Sequence, residues 1–301
     1  MTRSYWSLIS LLAAIWGASY LFIKVAVRDF SPPAMMELRL AFAALLLGGF
    51  LVATRGFRQA LAEVRAAGWH GLFIGVVNGA IPFTLIAWGE KYIDSGVAAI
   101  ANSTVPIFNV MLAPLLLPSE RTTGIRLVGF VLGLVGVGVL SGAQPNVTTM
   151  FVLGTMAVVL ASVSYAFSGL YAQKRLGSAS GPALATASMT GGAIALLPLA
   201  IIFAPTQAPH WKSVASLAAL TLFGTALAQL ILYRLLRSDG AARTSLVTYL
   251  MPPIALVYGA ILLDETITAA TLAGLALILA GVALGSGALR LARRAPAVQE
   301  P

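Results

Sequence analysis

The sequence predicts an all-α membrane protein of ten transmembrane helices, arranged as two inverted five-helix repeats around a central cavity. Composition is the first ground. Of 301 residues, 59% are hydrophobic and 10% charged, and the mean hydropathy is +0.91. Soluble domains carry about 25% charged residues. This chain therefore lacks the charge to coat a water-facing surface and must meet lipid over most of its area. The second ground is a duplicated block. Glu120, Gly129, Gly136 and Val137 recur as Glu265, Gly274, Gly281 and Val282, each 145 residues later. The third is the uneven distribution of Lys and Arg among the loops.

A membrane helix needs about 20 mostly apolar residues. On that basis the first repeat, 5–142, holds helices at 5–26, 33–54, 69–89, 95–117 and 124–142. The second, 152–289, holds helices at 152–173, 182–203, 213–235, 241–263 and 268–289, and leaves 290–301 as a tail. Turn residues separate them: Ser31-Pro32-Pro33, Ser119-Glu120-Arg121, Gln144-Pro145-Asn146, Gly181-Pro182 and Ser238-Asp239-Gly240. Pro33 and Pro182 each open the second helix of a repeat, where a missing N–H costs nothing. The first apolar run follows Arg3 like a signal peptide. Its counterpart at 152–173 cannot be one, and Lys24 closes the run without a small-residue cleavage site.

Charge sets direction. With the N-terminus cytoplasmic, that side receives Arg3, Arg55, Arg58, Arg65, Arg121, Arg126, Lys174, Arg175, Arg234, Arg237, Arg243, Arg290, Arg293 and Arg294. The other side receives Lys24, Arg28, Lys91 and Lys212, and Arg39 falls inside the second helix. The positive-inside rule therefore puts both termini, and the 290–301 tail, in the cytoplasm. Five is an odd number, so the second repeat starts on the opposite side from the first. Glu120 and Glu265 fall on opposite faces. A period of this length in a wholly apolar chain is the signature of a two-repeat carrier with its site near mid-membrane, where the halves meet.

Several classes of function are disfavoured. There is no cysteine, hence no disulfide, thiolate metal site or Cys nucleophile. The net charge of +9 sits in short loops, where lipid head groups and topology account for it without nucleic acid. The two histidines, His70 and His210, lie beside loops 140 residues apart, and no zinc-binding HExxH motif occurs. Neither an enzyme, a metal site nor a cofactor is expected.

Trp16-Gly17 in the opening helix and the paired blocks Pro106…Glu120-Arg121…Gly129…Gly136-Val137 and Pro252…Glu265…Gly274…Gly281-Val282 carry a family resemblance. From about Trp6 to Leu289 the chain resembles the drug/metabolite transporter superfamily, in its ten-helix class with two EamA-type repeats. Within it the chain looks most like the YddG-type amino-acid exporters. The first block departs by one residue, since Pro106 to Glu120 is longer than Pro252 to Glu265. The resemblance implies an inner-membrane, alternating-access carrier with a central cavity, no cofactor, and a small-molecule substrate such as an amino acid.

Polar and aromatic residues deep in the spans are the candidate cavity lining, because an unpaired amide or hydroxyl in hydrocarbon costs a few kcal/mol. Helix one offers Trp16, Ser19 and Tyr20; helix three Asn78 and Phe83; helix four Asn102. Helix six offers Ser164, Tyr165, Ser168 and Tyr171; helix eight Gln229 and Tyr233; helix nine Tyr249. Isolated Ser and Thr equally serve as links between helices. Pro82, Pro106 and Pro252 are candidate hinges, each freeing a carbonyl. Glu37 and Arg39, with Lys24, Glu90, Lys91 and Asp94 at the same shallow level, are candidates for a gate. Gly129, Gly133 and Gly136, and likewise Gly274, Gly281 and Gly285, line helix faces suited to close packing. Glu120 and Glu265 are expected to cap helix ends. No carboxylate is expected at mid-helix and no Lys or Arg near the bilayer centre. A lining of this kind suits neutral or zwitterionic molecules of amino-acid size and uniport rather than strict proton antiport. The alternative cargo is a lipophilic drug or another metabolite, with proton coupling.

Overall fold

The computed structural model describes residues 3–117, 124–144, 147–176 and 180–286. Glu120, Arg121, the Pro145-Asn146 turn and the 290–301 tail lie outside them. Helices are the regular structure of the described residues, which contain no strand. In order they are α1 (Arg3–Ala26), α2 (Pro32–Arg55), α3 (Phe57–Gly75), a π-helical turn (Val76–Ala80), α4 (Ile81–Gly89), α5 (Ser95–Asn102), α6 (Val105–Leu116), α7 (Gly124–Gly142), α8 (Thr149–Leu176), α9 (Gly181–Ile202), α10 (Trp211–Thr221), a second π-helical turn (Leu222–Leu227), α11 (Ala228–Asp239), α12 (Ala241–Thr244), α13 (Val247–Leu262) and α14 (Ala269–Ser286). Grouped across their interruptions, these make ten spans; eight are long and apolar enough to cross a bilayer, and Val247–Leu262 and Ala269–Gly285 are shorter apolar helices.

Local chemistry sets the ends. Ser31 accepts the amide of Ala34, and Pro32 and Pro33 occupy the first turn of α2, where their missing N–H groups have no partner to lose. The third span begins earlier than its apolar stretch at 69–89, at Phe57, and bends at Gly68 (φ 54°, ψ −151°), a conformation open to glycine. Residues 57–67 carry Arg58, Glu63 and Arg65 and precede the bend, which explains why hydropathy alone starts the span at residue 69.

Successive spans run up and down between two faces. One face, called here the Lys24 face, gathers the chain around residues 27–31, 90–94, 203–210 and 263–268. Asp29 there accepts from the Ser213 hydroxyl (2.6 Å) and the His210 amide, and Ser31 donates to the Phe203 carbonyl. The opposite Arg55 face holds the N-terminus, where Tyr5 donates to the Arg243 carbonyl, and the Arg55–Glu63–Ser180 contacts. α1 runs toward the Lys24 face and α8 away from it, so the repeats are inverted.

The duplicated glycines join the repeats. α7 lies along α14. A Cβ on Gly129 would stand 2.6 Å from the Gly281 carbonyl oxygen, and one on Gly281 would stand 2.6 Å from that of Gly129. Only hydrogen side chains allow such backbone contact, which yields dispersion that lipid tails cannot match. The same logic brings Gly75 against Ser188 and Gly192 where α3 meets α9.

Candidate functional site

Each repeat is interrupted twice at matching places. The π-helical turns begin at Val76 and Leu222, and the fourth span of each repeat breaks, at Ser103–Thr104 and at Ser245–Leu246. A π turn or a break leaves carbonyls outside the regular ladder, and in a membrane these need partners. Side chains supply them. Ser103 and Thr104 donate to the carbonyls of Ile100 and Ala101 at 2.6 and 2.7 Å. Ser164 of α8 donates to the Val77 carbonyl inside the first π turn (2.6 Å), and Thr225 to that of Leu220 beside the second. Thr248 and Thr244 serve the second break.

Between these interruptions lies a buried aromatic and polar cluster. Asn102, at the end of α5, donates to the Tyr20 hydroxyl (2.7 Å) and accepts from Ser162 of α8 through Oδ1 (3.1 Å). One amide thus ties α1, α5 and α8. The Phe83 ring meets Tyr165 edge-on, with centroids 6.3 Å apart. The Arg39 guanidinium lies over the same Phe83 ring, 3.8 Å from its centroid, and its Nε donates to Thr225 of the second π turn (2.7 Å). Tyr20 and Tyr165 are 145 residues apart, the period of the duplicated block.

The candidates from sequence divide. Tyr20, Phe83, Asn102 and Tyr165 come together in this cluster, with Trp16 packed at its edge. Ser19 is buried; it donates to its own helix at Ile15 and stands against Gly224, where a Cβ would be 2.5 Å from Oγ. Ser164 is spent on Val77, and Ser168 is buried on the same helix. Asn78 is half-buried in the first π turn. Gln229 follows the second, its Oε1 buried without a partner. Tyr249 packs on the core, as does Tyr233, whose ring fills the space over Gly181. Tyr171 lies elsewhere: its hydroxyl meets His70 Nδ1 at 2.6 Å, among Phe73 and Phe167. His70 is 13 residues from Phe83 along the third span, about 20 Å at 1.5 Å per residue.

The prolines also separate. Pro82 follows the first π turn and Pro106 opens α6, so both stand at helix starts. Pro252, with Pro253, lies inside the unbroken α13. Glu37 is half-buried on α2. Arg39 lies about two turns from Pro32, the expected depth, but turns inward: it is 5% exposed and makes no ion pair with any described carboxylate. The repeats close around it, so it does not snorkel to the surface.

Composition did not point to Ser162, Thr225 or the isolation of Glu90. Glu90 is fully buried at the end of α4, neither carboxylate oxygen hydrogen-bonded. Lys24 reaches the backbone carbonyls of Glu90 and Ile93 instead (2.8 and 2.7 Å). Glu265 caps α5 from the other repeat, accepting from the Ser95 amide and hydroxyl (both 2.8 Å) and the Gly96 amide. The 145-residue register was the available signal: Gly79 and Gly224, one in each π turn, share it.

A cavity of about 780 Å³ opens at the Lys24 face, lined by Pro32, Thr84, Trp88, Lys91, Met156 and Leu160 among others and by no residue of the cluster. Thr84, next to Phe83, has a buried hydroxyl without a partner.

Comparison with known proteins agrees with this architecture. The profile of the EamA-like transporter family matches residues 4–142 and 152–287. An uncharacterized transporter of Archaeoglobus fulgidus is 29% identical over 92% of this chain and 96% of its own. A protein of Salmonella typhimurium named a probable amino-acid metabolite efflux pump is 27% identical over 98% and 99%. A protein of known crystal structure superposes with a TM-score of 0.67 at 19% identity, over 98% of this chain and all of that one, and shares the fold. With paired interruptions, an interior cluster shared by inverted halves, and a family match over both repeats, the chain belongs to the EamA-like transporter family and is a multi-pass membrane transporter.

Proposed function

We propose that the protein exports amino acids, aromatic and other apolar ones included, across the inner membrane by alternating access. The halves 5–142 and 152–289 rock about the cluster, and both termini face the cytoplasm, as the basic residues of the Arg55 face favour. The observation that carries the reading is the cluster of Tyr20, Phe83, Asn102 and Tyr165 between the paired interruptions. Aromatic faces with a few fixed amide and hydroxyl groups suit an amphipathic molecule of amino-acid size. The interruptions place irregular backbone beside the cluster, as in carriers that bind at broken helices. The name of the Salmonella relative supports the same substrate class. Trp16, Asn78 and Gln229 border the path, Pro82, Pro106 and Pro252 serve as hinges, and Glu37 lies at the Lys24 gate. Transport runs down the substrate gradient without an ion.

The test is uptake of labelled phenylalanine into liposomes holding the purified protein, with unlabelled amino acids as competitors and no ion gradient. Saturable uptake that competitors suppress is the expected result; no uptake above protein-free liposomes refutes the reading. A second reading, a lipophilic cargo with proton coupling, is favoured by two particular observations: the apolar cavity at the Lys24 face and the unpartnered Glu90 carboxylate. It requires uptake that amino acids do not compete and that an imposed pH gradient drives.

A further inference from the structure

Arg39 is a buried cation that the protein itself leaves incompletely partnered. A guanidinium offers five N–H donors. Its Nε goes to Thr225, and Nη1 has only the Met36 sulfur, at 3.8 Å. Its face rests on Phe83. No described carboxylate comes within 4 Å. Its charged or titratable neighbours are Tyr20 on α1, Tyr165 on α8 and, at longer range, Glu90 at the end of α4. Neither the Tyr20 nor the Tyr165 hydroxyl accepts a hydrogen bond from it. A cation taken out of water and left without an anion is strongly unfavourable, and proteins normally avoid it by pairing.

The setting fixes the group rather than neutralising it. Phe83 holds the guanidinium plane by cation–π contact, and Thr225 holds the Nε edge. The Nη edge meets no oxygen acceptor of the protein. A planar fork held in this way matches the two oxygens of a carboxylate. It lies beside the aromatic ring pair Phe83 and Tyr165, so one ligand can present a carboxylate to Arg39 and an apolar side chain to the rings.

We propose that Arg39 is the anchor for a carboxylate on the transported molecule, so that the cargo is an organic acid or zwitterion, with Phe83 and Thr225 positioning the guanidinium. This rests on the central cluster being the transport site, and it names the chemical group that site selects. A purely structural Arg39, tying α2 to the second π turn, would show no preference for cargo with a carboxylate.

The experiment compares phenylalanine with phenylalaninamide, which keeps the ring and ammonium and lacks the carboxylate, in liposomes holding wild type, Arg39→Lys or Arg39→Gln. In wild type the acid is expected to be carried and the amide poorly. Arg39→Gln should raise KM for the acid about ten- to a hundredfold, the loss of a charge-assisted contact, and leave the amide unchanged. Arg39→Lys, charged but without the fork, should fall between. Equal carriage of both by wild type, or equal slowing of both by Arg39→Gln, overturns the anchor. Should Arg39→Gln not fold, thermal unfolding of wild type in detergent decides: protection by the acid and not the amide supports the anchor, and equal protection by both overturns it. Should wild type neither bind nor carry phenylalanine, the amino-acid reading fails separately. The anchor then stands or falls on whether 3-phenylpropionate protects wild type and 3-phenylpropanol does not.

Discussion

In the first repeat the broken fourth span begins with α5, eight residues long, and every residue from Ser95 to Ala101 is buried. Its first amides end on Glu265, delivered by the other repeat. In the second repeat the matching piece, α12, has four residues, follows Gly240 at φ 80°, and leaves Arg243 and Ser245 exposed. The two pieces occupy opposite faces of one inverted design. The Lys24 face is tied across the repeats by a carboxylate at a helix N-terminus, where amides and dipole favour it, and within the first repeat by Lys24 on the carbonyls after α4. The Arg55 face has the shorter counterpart, and there Tyr5 on the Arg243 carbonyl and Ser180 on Glu63 join the repeats.

The largest blow to this comparison falls on the joint shared by both faces. Gly281→Leu puts a side chain where the Gly129 carbonyl lies, and overpacking there is expected to cost about 3 kcal/mol or more. Thermal unfolding and size-exclusion profiles in detergent measure it. A variant as stable as wild type would contradict the α7–α14 contact.

Next is Glu265→Ala, which strips three hydrogen bonds from α5 and should cost about 2 kcal/mol. The absence of native cysteine allows a cleaner readout. Val97→Cys is expected to resist a membrane-impermeant thiol reagent when Glu265 is intact and to react once Glu265 is removed. Ser245→Cys, exposed at the Arg55 face, should react in both backgrounds. Protection of Val97→Cys in the Glu265→Ala background would show that another contact closes the face.

Asn102→Leu sharpens the comparison at the break itself. It removes the link among Tyr20, Ser162 and α5, and is expected to lower transport about tenfold while changing stability by about 1 kcal/mol. Matched transport and stability losses would make Asn102 scaffold only.

Two smaller effects probe the turns of the Lys24 face. Asp264 has φ 56°, a left-handed conformation that Asp tolerates, and the turn aims Glu265 back at Ser95. Asp264→Gly should change stability by no more than about 0.5 kcal/mol, whereas Asp264→Val should lose about 1–2 kcal/mol. Asp29 gives the smallest effect. The Ser213 hydroxyl, then the His210 amide, hold its carboxyl below the usual range. Its contribution is therefore present above the ordinary carboxylate range and disappears on acidification through the lowered value. Asp29→Asn should narrow the stability difference between pH 7 and pH 3 slightly; an unchanged difference removes Asp29 from the account.

Much of this was legible beforehand because lipid imposes long apolar runs and inversion imposes an odd helix number. The spans at 95–117 and 124–142 end within a residue of α6 and α7. The glycine block was readable as packing, since small residues at helical spacing have few other uses in lipid. The candidate site was less legible. Tyr20, Phe83, Asn102 and Tyr165 stood out as polar or aromatic groups in apolar runs, but so did Tyr171, which belongs with His70. Periodicity reports which face of a helix a residue takes; it does not report which helix faces it.

By itself the sequence determined the number of spans, the odd-numbered repeat and hence the inversion, because each follows from local hydrophobicity, charge and chain direction. Only the tertiary structure decided that the duplicated Glu…Gly…Gly-Val block divides its labour: Gly129 and Gly281 join the halves, while Glu265 crosses to cap α5. It also turned Arg39 from the surface to Phe83 and Thr225, and left Glu90 without a partner. These outcomes depend on which groups two halves 145 residues apart bring together, and a buried charge is placed by its neighbours in space rather than in sequence.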